Sequence, residues 1–376
     1  MLKLSTELSI LIKAALGGPE DLPILADSDV QPDEAALISL AEWHQVRALL
    51  YRYLVGQDNP TTWHDLESLR SYGVGEAIYY MVFLQKSVEL NSSFAAQGIK
   101  AFLMKGAFWA WLLYDDPGAR EFGDIDFFLN KKDIQSGLEV LERHGFKPDA
   151  YRKSLLANDG IAEIYFKTDY QLPLKPEQGD FVKSLEIQWN ATYPRFAYSF
   201  TWEELMSRAV EYTLPGGPIK VPGIDHQLLM MLVHHAGVEQ WDKLKYMGDF
   251  VRILRKFATQ IDWDYVSQVS MQKGFHGLLL ESLGMVRLLT GENYFQYLPR
   301  DTPQNYPSEK FSSAIFSHWE NRRPKPVTKS WRIFYFNFVY RDRLSDKLTI
   351  VKRHLSYLMQ FRLLMAKAQW YYGKRR

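Results

Sequence analysis

Two aspartates one residue apart, Asp124-Ile125-Asp126, are the side chains of this 376-residue chain best placed to do chemistry. In a β-strand, residues i and i+2 point to the same side of the sheet. The two carboxylates therefore converge, while Ile125 and Phe127 turn to the opposite face. Paired carboxylates repel unless a cation neutralises them. A hard divalent ion such as Mg²⁺ does this with oxygen ligands and holds phosphates as well. A third carboxylate on a neighbouring strand would complete a two-metal clamp. Glu186 is the candidate, because Leu185-Glu186-Ile187-Gln188-Trp189 alternates so that Glu186 and Gln188 share one face.

A second element of chemistry lies upstream. Lys105-Gly106 breaks an apolar strand-like run, Ile99–Met104, from a helical one, Ala107–Tyr114. Backbone N–H groups at such a strand-to-helix junction are unpaired and the helix dipole is positive there. Phosphates bind well at that position, and glycine lets them come close. Gly106 and Ala107 would offer the backbone, and Lys105 and Arg120 the cationic contacts to a triphosphate.

These residues need a scaffold. Residues 1–90 read as helices: one through Leu4, Leu8, Leu11 and Ile12, a second from Pro32 to Leu54, a third after Asp65, and a fourth from Val74 to Ala96. Strand–helix–strand–helix–strand follows over 97–195, with strands at Ile99–Met104, Gly123–Leu129, Ile161–Tyr165 and Ser184–Asn190, a helix at Lys132–His144 stopped by Gly145, and a polar, proline-bearing stretch at Asp169–Asp180. Past Pro194 the helical period returns, clearest at Asp225–His235, Leu244–Phe257 and Trp263–Leu289. Loops are expected at 298–307 and at Pro324-Lys325-Pro326. The expected domains are an N-terminal helical region (1–96), an α/β core (97–195) and a C-terminal helical region with a basic, aromatic tail (196–376).

The order of motifs resembles the nucleotidyltransferase superfamily, the DNA polymerase β-like fold. It is most similar to the bacterial "uncharacterised nucleotidyltransferase" family. The resemblance rests on Lys105-Gly106, Tyr114, Pro117, Arg120, Asp124-Ile125-Asp126, Glu186 before Trp189, His234 or His235, Trp241, Leu244, Lys245, Tyr246, Asp249 and Arg341-Asp342-Arg343. It implies an α+β fold: a small mixed-sheet nucleotidyltransferase core flanked by helical regions. It also implies Mg²⁺- or Mn²⁺-dependent transfer of an NMP from an NTP to an acceptor hydroxyl, with Asp124, Asp126 and Glu186 as metal ligands and catalytic residues. The acceptor class stays open between a small molecule, a protein side chain and an RNA end. This chain departs from the superfamily at Ala107, where a second Gly or Ser is usual, in the 18 positions from Gly106 to Asp124, and at Gln188, where look-alikes often carry His. Ala107 and Gln188 support the alternative, an inactive nucleotidyltransferase-fold module that binds nucleotide, protein or RNA.

Other residues have plainer readings. His234 and His235 are adjacent on a helix and point about 100° apart, so they pack rather than share an ion. Lys245 and Asp249 stand at i and i+4 and can pair with each other. Trp109, Trp111 and Tyr114 read as helix core, and Asp115-Asp116 as turn chemistry.

Composition excludes several classes. With no cysteine there is no disulfide framework, thiol catalysis or thiolate metal site. The longest apolar runs, Phe108–Tyr114 and Ile333–Tyr340, fall far short of a membrane span, and Glu7 and Lys13 interrupt any signal-like stretch at the N-terminus. The expectation is a cytoplasmic protein with no membrane partner. The formal charge of +1 hides an asymmetry: residues 301–376 hold 16 Lys/Arg against 5 Asp/Glu, a local balance of +11. Such a segment either solvates outer helix faces and offsets the acidic remainder, the preferred reading, or grips nucleic acid.

Overall fold

The computed structural model describes residues 4–373 apart from 19–21, 23, 26–30, 58–62, 178, 180 and 322–328. The loop expected at Pro324-Lys325-Pro326 lies outside the described residues. The chain is α+β. In order it forms α1 (Thr6–Leu16), α2 (Glu34–His44), α3 (Arg47–Val55), α4 (Leu66–Ala96), β1 (Ala101–Met104), α5 (Gly106–Leu113), β2 (Ile125–Leu129), α6 (Ile134–Arg143), β3 (Phe146–Pro148), α7 (Ala150–Leu156), α8 (Asp159–Thr168), β4 (Gln171–Pro176) and β5 (Leu185–Gln188). Then come α9 (Trp202–Ser207), β6 (Ala209–Leu214), β7 (Gly217–Pro222), α10 (Ile224–Met231) running into a π-helical segment (Leu232–Val238), α11 (Leu244–Phe257), α12 (Trp263–Gln272), α13 (His276–Thr290), α14 (Glu309–Asn321), α15 (Lys329–Val339), α16 (Leu344–Leu358) and α17 (Phe361–Gly373).

Several sequence expectations are corrected. The single helix expected from Pro32 to Leu54 is two, because Gln45 turns left-handed at φ 57° and ends α2. The two helices expected between Asp65 and Ala96 are one continuous α4, which Gly73 and Gly75 do not break. Ile161–Tyr165 is not a strand. It lies within α8, which Asn158 caps by accepting from the Ile161 N–H and which Lys167 and Glu163 brace one turn apart at 2.6 Å. The polar, proline-bearing stretch Asp169–Asp180 contains β4. Trp263–Leu289 divides at Gly274, whose φ of 71° suits glycine. The hairpin β6–β7 falls where only helices were expected.

The chain divides into two compact units. One comprises residues 1–81, 109–122 and 227–336, the other 82–108, 123–226 and 337–376. The first unit is helical, with α1 packed on α2, α3, α11 and α13. Arg252 Nη1 donates to the Ala15 carbonyl at 2.8 Å and so ties α11 to the end of α1.

The second unit holds a mixed five-stranded sheet in the order β1-β2-β5-β4-β3. Only β2 and β5 run parallel; the other neighbours are antiparallel. One face is apolar throughout. Phe127 meets Phe94 of α4 edge-on at 5.1 Å between ring centres, and Gly137 of α6 lies so close to Leu129 that a Cβ there would come within 2.6 Å of it. On the other face Trp202 of α9 stacks on Phe102 and Phe128. That leaves Asp126, Glu186 and Gln188 on the same side of the sheet beside this aromatic cover. Among the described residues, no helix is long and apolar enough to cross a membrane.

Candidate metal and nucleotide site

The parallel register of β2 and β5 sets Asp126 directly beside Glu186, with Phe128 beside Gln188. Asp124 immediately precedes β2, whose first residue, Ile125, donates its N–H to the Ser184 carbonyl at 3.2 Å. The pleat thus brings Asp124, Asp126 and Glu186 together: each can offer a carboxylate oxygen within 4.8 Å of the others. Asp126 is buried, and Asp124 and Glu186 are half-buried.

Crowding three acids has an electrostatic cost. Burial, followed by repulsion from Asp124 and Glu186, pushes the Asp126 carboxyl well above the usual carboxylate range, while Lys105 works against the shift. Glu186 is raised in the same way, by burial and then by Asp124. Gln188, fully buried, eases the strain by donating from Nε2 to Asp126 Oδ1 at 2.6 Å, with Gln171 Oε1 and Glu186 Oε2 each 3.4 Å away. An all-oxygen donor set in which burial and neighbouring acids raise the Asp126 and Glu186 carboxyls fits a hard divalent cation.

Lys105 and Gly106 form the elbow between β1 and α5. Both have positive φ, 48° and 39°. Glycine adopts that conformation freely, whereas lysine is strained in it, and sharp strand-to-helix elbows of this kind cluster at functional sites. Lys105 is the cation whose charge both Asp126 and Glu186 feel. Ala107, the second residue of α5, is buried.

Arg120 has a different setting. It is buried in the helical unit, where Nε and Nη2 donate to the two oxygens of Asp249 at 2.9 and 2.8 Å. Tyr114 Oη also donates to Asp249 Oδ1 at 2.9 Å, and His235 Nε2 lies 3.1 Å from Oδ2. Burial pushes the His235 imidazole down to about 4, so the ring is neutral. With its Nε2–H donating to Asp249, its Nδ1 accepts from His234 Nδ1, 3.0 Å away. The wide turns of the π-helical segment let these neighbouring rings meet. Burial alone would raise the Asp249 carboxyl, but the Arg120 guanidinium and the His235 bond outweigh it and hold the group far below the usual range. Lys245 Nζ donates to the Glu121 carbonyl at 3.1 Å. Four scattered motif residues, Tyr114, Arg120, His235 and Asp249, thus meet in one knot.

Asp115 and Asp116 behave as turn residues: Asp116 caps the short helix at Pro117–Ala119, and Asp115 pairs with Lys256 at 2.9 Å. Gln188, expected on the same face as Glu186, does touch the acids there.

A mixed sheet with paired acids on one strand, a third on its parallel neighbour and a Lys-Gly elbow on the strand before matches what the resemblance to nucleotidyltransferases implies. A family model described as "uncharacterised nucleotidyltransferase" matches residues 31–291, and the chain belongs to that family. A search of curated proteins returns no match.

Proposed function

We propose that the chain is a divalent-metal-dependent nucleotidyltransferase that moves an NMP from an NTP to an acceptor hydroxyl. The observation that carries this reading is the convergence of Asp124, Asp126 and Glu186 on one sheet face. Asp124 and Asp126 would hold the ions and Glu186 would complete the oxygen set. Mg²⁺ or Mn²⁺ bound there would neutralise phosphate charge and make the acceptor hydroxyl more acidic. Lys105 and the N–H groups of Gly106 and Ala107 bind and orient the triphosphate at the elbow. The acceptor oxygen bonds to the α-phosphorus, the bond from that phosphorus to the bridging oxygen breaks, and pyrophosphate leaves in line. Glu186, whose carboxyl is raised, is suited to take the hydroxyl proton. Catalysis on this reading is positioning plus charge neutralisation. Arg120 commits its guanidinium to Asp249 within the helical unit. A cytoplasmic location, where NTPs are abundant, fits this activity.

The test follows labelled NTPs with Mg²⁺ or Mn²⁺ into protein, RNA and small-molecule pools. Asp124→Asn and Asp126→Asn should abolish transfer, and transfer that survives both would overturn the mechanism. A second reading, a nucleotide-binding module without turnover, is favoured by Gln188 occupying Asp126 Oδ1 and by the buried Ala107. Calorimetry separates the two, since NTP binding without turnover supports only the second.

A further inference from the structure

The basic C-terminal segment contributes to a feature outside the acidic cluster. In the sheet-bearing unit, the chain leaving β5 reaches Pro194-Arg195, and there Arg353 and Tyr357 of α16 and Lys167 of α8 enclose a pocket of about 200 Å³. That is smaller than the ~300–1,000 Å³ of sites for whole ligands, and so suits a single group.

The pocket is built from donors. Arg195 lies over the Tyr193 ring at 3.9 Å and the Tyr357 ring at 4.9 Å. Arg353 is fixed through Nη1, which donates to the Pro194 carbonyl at 2.7 Å. Rings and a carbonyl orient these guanidinium groups without cancelling their charge, and among the described residues neither is in an ion pair. Asp169 feels Arg195 but pairs with Lys367 at 3.4 Å. Lys367 Nζ also donates to Tyr357 Oη at 3.2 Å, so the phenol accepts there and keeps its own O–H to donate. Lys167 does have a counter-charge, the exposed Glu163. Ser356 adds a hydroxyl. Three cations and two hydroxyls around a group-sized space match a dianion with several acceptor oxygens, and guanidinium forks match phosphate geometry.

We propose that this pocket is a phosphate-binding site, separate from the acidic cluster, that takes either a phosphate ester or free phosphate. The inference does not depend on the transferase reading, because it needs no turnover and no divalent metal.

The test is thermal unfolding of the full chain, free of divalent metal and at constant ionic strength, with inorganic phosphate, a nucleoside 5′-monophosphate or chloride. At about 20 mM, phosphate or the monophosphate should raise Tm by about 2–4 °C over chloride. A larger rise with the monophosphate assigns the site to phosphate esters, and an equal or smaller one to free phosphate. Arg353→Gln and Lys167→Gln should each reduce the rise, and together should remove it. Both residues are exposed, so Tm in chloride should stay near wild type. Asp126→Asn should leave the rise intact. Tm values in phosphate and in the monophosphate that both equal the value in chloride would overturn the proposal. So would a rise that survives the Arg353→Gln/Lys167→Gln pair but disappears in Asp126→Asn, and that result would leave the transferase reading standing.

Discussion

The acidic cluster on the sheet and the Asp249 knot in the helical unit both bury carboxylates, yet they treat them in opposite ways. Asp249 receives two bonds from Arg120, one from Tyr114 and one from His235, and is held ionised far below its usual range. Asp126 faces Asp124 and Glu186, with one amide and the nearby Lys105 as partial relief, and is pushed up. A buried charge with complete partners is structural. A buried charge left among its own kind is poised for something that arrives later.

The contrast can be broken from either side. The largest effect is expected from Asp126→Asn: transfer should fall at least about 1,000-fold, equivalent to about 4 kcal/mol, while metal-free Tm stays level or rises as repulsion is relieved. Label transfer and unfolding read the two quantities separately, and a fall in both would erase the distinction. Arg120→Ala should do the reverse to stability, costing about 3–5 kcal/mol in denaturant unfolding because it strands the Asp249 charge.

The third test uses pH. His235 has a folded pKa depressed to about 4 from 6.5, so its neutral form is the one the fold prefers. Its contribution is fully present above pH 6.5 and is lost as pH falls toward 4, up to about 3 kcal/mol. His235→Gln should flatten that limb of the stability profile, whereas an unchanged slope would show that the ring does not titrate there. The smallest expected effect belongs to Gln188→Ala. Losing the 2.6 Å bond to Asp126 should weaken Mn²⁺ binding, followed by electron paramagnetic resonance, by about 10-fold, with no comparable change in the Asp249 knot.

The acidic site was readable because strand alternation is a strong local rule: Asp124, Asp126 and Glu186 needed only a period of two and a shared sheet. The Asp249 knot was not readable as a unit. Tyr114, Arg120, His235 and Asp249 span 135 positions, and nothing local tells Arg120 that its partner lies on α11 rather than beside it. The errors in the fold have similar causes. β4 was passed over because Pro173 and Pro176 argue against a strand. The sheet accommodates Pro173 because β3 pairs only as far as Leu174, so β4 is an edge at that point. The hairpin β6–β7 turns at Pro215-Gly216-Gly217, with φ of 105° and 147° at the glycines, a turn signal set within a stretch of helical period. In α8 the strand-favouring residues Ile161, Ile164 and Tyr165 imitate a strand, and the Asn158 cap decides otherwise.

The register of β2 and β5 has a consequence for how this site can change. Asp126 and Glu186 are 60 positions apart in the chain but one strand apart in space. Their spacing is set by peptide hydrogen bonds at about 4.8 Å, which no side-chain substitution alters. The turns between the intervening elements can lengthen or shorten without changing that register. What point substitution can adjust is arm length: Glu186→Asp withdraws its oxygen by one methylene and leaves Asp126 in place. The sheet acts as a fixed ruler, and the reach of each acid can be tuned only in steps of one carbon.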